Sequence, residues 1–495
     1  MTEGALLLVR LLAGLGALQL VGYGLTAWLC PAPEAFSRLE RHAVGLGLGA
    51  LIISLWMLAL ALLGSSFRLP LVLGPPLIPA LSGIIWQALR RKGQTAVSAL
   101  PEKTKNQKPK TKNLLSHWDW LLLGLLGVLF LFAALRAVLY PMWAWDALAT
   151  WGFKAKVFYL EQGLDLSRIK AHNYYPNLVP LLLTYLYLCL GQVNDHLVKL
   201  VFPLFGAGLL SLVYSLLRRS GLGRTASLGI TAFLALNGVT FIVHLFIAYA
   251  DLPLTYYTLG AVGFTWMRLR QEGPSGCLPL AAAFTAGLAW CKFEGPPLAG
   301  TIILAAALAL ITLRPPSWPR CLPALAWPLG GVLLGYLPWR LFMRLHHIET
   351  GSDHLLGFYP QQLFQALPVV LKGLFFPKFF GVLWPAALAS LVLLAKKPPA
   401  ATISPSQAGP VPAHGGGLWL TARPLFAPPT LFLALFLGGN LVAILLGYAV
   451  APTSAEEFPF YVRATLDRLL LHITPAAALI IGEGLRHLEA RGSLE

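Results

Sequence analysis

Residues 119–156 read DWLLLGLLGVLFLFAALRAVLYPMWAWDALATWGFKAK. The run 119–139 is apolar and close to the ~20 residues that a helix needs to cross the hydrocarbon core of a bilayer. Directly after it come the indoles of Trp143, Trp145 and Trp151, the carboxylate of Asp146, and the ammonium groups of Lys154 and Lys156. This is the pattern of a membrane helix that ends and hands over to an interfacial segment. Comparable apolar runs recur along the 495 residues, of which 57% are hydrophobic and only 12% charged. Soluble domains carry about 25% charged residues. The expected class is an all-α polytopic membrane protein, since helices satisfy their own backbone in lipid.

Apolar runs near 5–29, 43–64, 70–89, 119–139, 197–217, 225–247, 252–268, 277–291, 296–313, 322–344, 379–395, 425–450 and 468–486 predict about 13 transmembrane helices. The run at 178–190 is too short to span and is read as interfacial or re-entrant. The N-terminal stretch lacks a basic n-region and is too long for a signal-peptide core, so it reads as a retained first helix. None of Cys30, Cys189, Cys277, Cys291 and Cys321 forms a CxxC pair, which supports neither a disulfide framework nor a thiolate metal site.

The formal charge of +17 does not indicate a nucleic-acid partner, because the basic residues sit in short clusters between apolar runs. The segment 90–117 is basic and reads as a cytoplasmic linker between an N-terminal three-helix group (1–89) and a transmembrane core (118–490). The clusters at 218–224, 268–276, 314–320 and 396–417 fit the same side. Alternation then puts 140–196, the neighbourhood of Asp251, the turn at 292–295, and the segments 346–354 and 453–468 outside. The scheme closes only if 178–190 does not cross.

The unusual polar residues gather on that outer face. Asp146 and Asp251 lie at helix ends, where an acid at the edge of the hydrocarbon is costly and suggests function. Lys292 and Glu294 occupy a helix–helix turn. Arg463 and Arg468 flank Asp467, and Arg463–Asp467 also has the spacing of an ordinary i,i+4 pair. His172, Tyr174 and Tyr175 follow Lys154 and Lys156. Carboxylates there can act as a general base or bind a divalent metal ion, with Asp146 and Asp251 the candidates. Lys154, Lys156, Lys292, Arg463 and Arg468 can hold a phosphate. Trp143, Trp145, Trp151, His172, Tyr174, Tyr175 and Glu294 can line a sugar or lipid site, although the tryptophans also suit an aromatic belt. His244, the most deeply placed polar residue, reads as a core histidine hydrogen-bonded to a neighbouring helix. No phosphate loop, nucleophile elbow, zinc-protease or dinucleotide motif is present.

WAWDALATWGFKAK, HNYYPNLVPLL, YADLPLTYYTLGA, LAWCKFEGPPLA and TLDRLLLHITP occur in the order found in bacterial GT-C glycosyltransferases. Over roughly 118–490 the chain resembles the group of rhizobial galacturonosyltransferase-like proteins. It resembles more distantly the lipid A aminoarabinose transferase and protein O-mannosyltransferases. The resemblance implies a large first periplasmic loop with juxtamembrane helices, an inner-membrane location, a polyprenyl-phosphate-sugar donor and inverting transfer. The acceptor would be an envelope lipid, glycan or protein. It makes Asp146 the base or acceptor-orienting acid and Asp251 the second-loop acid, which holds a metal or the acceptor in some members. Lys292 and Glu294 fall on a KNEG-like turn in which Phe293 replaces the usual Asn. A transporter or lipid flippase is the alternative, which would favour broken helices and repeated halves. A non-catalytic envelope scaffold is a third reading.

Single-cysteine labelling tests the sidedness. Leu160→Cys and Thr350→Cys should react with an impermeant maleimide from outside, and Lys105→Cys only after the membrane is breached. Shared accessibility of positions 160 and 105 overturns the scheme.

Overall fold

The computed structural model describes residues 3–30, 36–97, 115–169, 172–270, 276–312, 322–349, 357–395 and 426–492. Most of the linker, Cys321 and the segments 271–275, 314–320, 350–354 and 396–417 lie outside the described residues. The described chain is helical, with no strand. Its helices are α1 Glu3–Leu29, α2 Arg38–Leu62, α3 Leu69–Val97, α4 His117–Leu139, α5 Gly152–Leu160 and α6 Leu178–Leu190. There follow α7 Val201–Arg219, α8 Arg224–Leu236, α9 Val239–His244, α10 Asp251–Leu269, α11 Cys277–Cys291 and α12 Gly295–Ile311. The last are α13 Pro323–Leu345, α14 Pro360–Phe375, α15 Pro377–Phe380, α16 Leu383–Ala395, α17 Pro428–Ala449 and α18 Phe458–Gly492.

Among the described residues, seven helical stretches are long and apolar enough to cross a membrane: α1 to α4, Leu197–Arg219, α17 and most of α18. Among the described residues, the apolar runs expected as further spans become shorter helices in α8, α11, α12 and α16. The run 225–247 is broken at Asn237–Gly238, and the run 379–395 at Gly381. The two breaks meet. Asn237 Nδ2 donates to Phe380 O at 2.8 Å, so the amide of one interruption satisfies a carbonyl of the other. The last helix begins ten residues earlier than the apolar run and includes Asp467 and Arg468. Helix α14 was not anticipated.

Helix α6 is buried along most of its length, packed on α1, α2 and α5, rather than lying with a polar face at a surface. The chain that follows α6 returns to the end of α4. Lys199 donates to Tyr140 O and Pro141 O, and the His196 ring lies 2.7 Å from Val138 O, all at the end of α4. On the other side, Lys154 donates to His172 O at 2.6 Å.

Several helix termini sort into two bonded groups. In one, Arg219 at the end of α7 pairs with Glu40 at the start of α2, and Arg270 donates to Ser220 O and pairs with Glu483. Thr225 at the start of α8 donates to Asp119 at the start of α4. The other group joins the end of α4, the segment 140–199, the start of α10, the α11–α12 turn and the front of α18.

The three N-terminal helices join the rest through α1, where Tyr185 of α6 donates to Gly14 O at 2.8 Å, and through α2. Tyr257 donates to Gly47 O and Trp290 to Ser54 Oγ from helices α10 and α11. Within the group, backbones touch. A Cβ at Gly22 would lie 1.7 Å from Gly45 O and 2.5 Å from Gly49 N, so α1 and α2 meet at glycines one turn apart. Gly22→Leu should therefore wedge α1 from α2 and cost about 1–3 kcal/mol or more. Gly16→Leu, which meets nothing within 4 Å, should be near neutral. Thermal unfolding in detergent compares them, and equal midpoints would contradict the contact.

Candidate functional site

Asp146 is held by the way the chain leaves α4. The Lys199 and His196 bonds cap the last carbonyls of α4, groups that a helix end leaves unpaired. The chain then turns into a single π turn, Ala147–Trp151, which continues as α5. Gly152 allows that junction, since a Cβ there would meet Met142 Sδ at 2.4 Å and Ala147 O at 2.7 Å. Such π turns recur at functional positions. Asp146 thus sits ahead of the turn, its N–H donating to Tyr249 Oη at 3.4 Å and its carboxylate one quarter exposed.

Asp251 begins α10, where the positive end of the helix favours a carboxylate. It follows Ala248, a buried alanine with φ of 63°. A non-glycine residue in that left-handed region costs about 1 kcal/mol or more and persists only where its surroundings hold it. The Asp251 side chain is completely buried. Its Oδ1 accepts from Lys292 Nζ at 2.9 Å, and His472 Nε2 lies at 2.9 Å from the same oxygen. An ionised carboxylate only accepts, so Nε2 carries the proton.

Arg468 joins the two acids. Its Nη2 lies 2.6 Å from Asp146 Oδ2 and 3.3 Å from Asp251 Oδ2, and its guanidinium stands 4.8 Å from the Tyr249 ring centroid. Both ion pairs use one nitrogen, so the remaining N–H groups of the fork are left for another anion. Lys292 also pairs with Glu294 Oε1 at 2.9 Å. Burial works against the Lys292 charge, but Asp251 and Glu294 outweigh it and hold its pKa above the ordinary lysine value.

An aromatic wall stands beside these charges. Phe293 stacks on Tyr175 with centroids 5.7 Å apart and meets Tyr174 edge-on. Phe293, in the position of an expected Asn, therefore contributes a ring face rather than a hydrogen bond. The His172 ring lies 4.7 Å from Tyr175, and the buried Trp151 lies 6.0 Å from it. Trp143 and Trp145 are exposed, as belt residues would be.

The expected phosphate ligands divide. Lys292 and Arg468 belong to the cluster. Lys154 is fully buried on the His172 carbonyl, and burial pushes its pKa down to about 7. Lys156 pairs with Asp195 at 2.6 Å, an acid that also accepts from Tyr187. Arg463 is exposed and makes no ion pair with Asp467 among the described residues, so the expected i,i+4 pair is not formed. His244 donates from Nδ1 to Thr240 O at 2.8 Å, within its own helix rather than to a neighbour. His472 and Tyr249 were missed. The signal for His472 was its i,i+4 spacing from Arg468, which places both on one face of a helix.

A divalent metal does not fit between Asp146 and Asp251, because the Arg468 guanidinium already lies between the carboxylates. Among the described residues, no group of three or more His, Cys, Asp or Glu is arranged to hold a metal ion. Compared with protein-family models, curated proteins and solved structures, the chain matches none.

Removing a cation from Asp251 should be expensive. Lys292→Met leaves a buried carboxylate short of its partner and should cost about 3–5 kcal/mol. Adding Asp251→Asn should recover part of that loss. Thermal unfolding of the single and double variants measures it, and a double variant no more stable than the single one refutes the coupling.

Proposed function

We propose that this chain is a multi-pass membrane glycosyltransferase of GT-C type. It moves a sugar from a polyprenyl-phosphate-linked donor to an envelope lipid, glycan or protein on the outer face of a bacterial inner membrane. The observation that carries this reading is convergence. Asp146, Asp251, Lys292, Glu294 and Arg468 come from separate stretches of chain and meet beside a wall of aromatic rings. The grouping of helix termini supports the sidedness, since 140–196, the start of α10, the turn at 292–295 and the front of α18, which alternation places outside, are bonded to one another. The return of the chain after α6 to the end of α4, and the Lys156–Asp195 pair that joins its two flanks, support a segment that does not cross.

In this reading the acceptor hydroxyl attacks the anomeric carbon while its proton passes to the Asp146 carboxylate, the more exposed of the two acids joined by Arg468. The new C–O bond forms as the bond to the donor phosphate breaks, with inversion, and its electron pair leaves with the polyprenyl phosphate. The unused N–H groups of Arg468 stabilise that growing charge, worth most where water is excluded. Asp251 keeps Arg468 in place, and the Tyr174–Tyr175–Phe293 rings offer a face to the sugar. No step here uses a metal.

A transporter or flippase is the second reading, favoured by the interrupted helix at Asn237–Gly238. Flux into proteoliposomes without a new covalent product would select it.

Mass spectrometry of envelope lipids and glycans from a deletion strain should show a missing sugar that the wild-type chain restores. Asp146→Asn should be expressed with a nearly unchanged unfolding midpoint yet lose at least about 10²-fold in transfer. Full restoration by that variant removes the assignment of Asp146.

A further inference from the structure

A groove of about 1170 Å³ opens between the end of α2 and the second half of α13, and none of its lining residues belongs to the acid cluster. It exceeds the roughly 300–1,000 Å³ of sites for drug-sized ligands. Its floor and wall include the partly buried Leu62 and the exposed Leu333, Leu337 and Leu341. Leu333, Leu337 and Leu341 are spaced four apart and so form one stripe along α13. Arg340 and Arg344 continue that face toward the end of the helix, both exposed and without a carboxylate partner among the described residues.

An apolar stripe that ends in two arginines one helical turn apart has the polarity of half a bilayer. Leucines match hydrocarbon chains, and long basic side chains near a helix end reach the headgroup layer. The guanidinium fork matches phosphate oxygens in pairs. Glu349 also lines the groove. The arginines and this carboxylate leave one net positive charge, which suits a phosphodiester bearing one negative charge and no compensating cation.

We propose that the groove holds the chains of an anionic membrane phospholipid whose phosphate is gripped by Arg340 and Arg344. The site is distinct from the acid cluster but shares a helix with it. Trp339 faces the other way on α13, stacks on Phe342 and donates to Tyr174 O at 2.9 Å. A lipid in the groove therefore sits one helix thickness from the aromatic wall. The inference requires α2 and α13 to lie in a membrane and does not depend on sugar transfer.

The full chain, purified in detergent and stripped of lipid, can be titrated with phosphatidylglycerol or phosphatidylcholine of identical chains and read by native mass spectrometry. Phosphatidylglycerol should be retained about tenfold better, the equivalent of ~1.4 kcal/mol. Arg340→Ala/Arg344→Ala should abolish the preference, while Arg340→Lys/Arg344→Lys should keep part of it. Leu337→Trp, which fills the groove, should weaken both lipids. Equal retention of the two lipids by the wild type, or a preference that survives the double alanine variant, overturns the proposal. Either result leaves the transfer reading untouched, which stands or falls on Asp146.

Discussion

A carboxylate with no exposed surface governs this structure. Taking Asp251 out of water costs several kcal/mol, and the cost is met only if cations arrive with good geometry. They arrive from two directions, Lys292 from the end of α11 and Arg468 from α18, and His472 of α18 adds a hydrogen bond. The start of α10, the end of α11 and the interior of α18 are therefore joined at one carboxylate. Asp146 joins through Arg468, so the position of the more exposed acid is inherited from the buried one. Local strain sits nearby. Ala248 and His172 both hold positive φ within the segments that carry Asp251 and the aromatic wall.

The two acids differ in what they can do. Asp251 accepts from Lys292 and His472 through Oδ1, faces Arg468 through Oδ2 without a hydrogen bond, and behaves as an anchor. Asp146 keeps a quarter of its surface and contacts a single guanidinium that it shares. A solute reaching this end of the assembly meets Asp146, the free edge of Arg468 and the Tyr175–Phe293 stack before it meets Asp251.

Much of this arrangement was legible in the sequence, and the failures have physical causes. Acids and bases at the ends of apolar runs named Asp146, Asp251, Lys292, Glu294 and Arg468, because a charge at a hydrocarbon edge needs a reason. The same rule could not say that Lys156 prefers Asp195 or that Lys154 caps a carbonyl, since those partners are set by how the chain folds back after α6. Arg463 looked equivalent to Arg468 because both flank Asp467, yet they point to different faces of α18. Hydropathy counted 225–247 as one helix. The Asn-Gly dipeptide at 237–238 is a turn signal, and here it prevailed because Phe380 offers its carbonyl to the Asn237 amide. Runs such as 277–291 were counted as spans although they give helices of only 15 residues, shorter than the bilayer core requires.

The final helix is fastened at two levels. Arg468 and His472 tie its front to Asp251, and Glu483 ties its rear to Arg270 about 22 Å further on at 1.5 Å per residue. A rod clamped twice can neither slide along its axis nor rotate without breaking both clamps together. Pro475 lies between them and removes one internal hydrogen bond. A kink in α18 therefore has its local cause between the clamps, where it would change the angle between the two tied levels without releasing either.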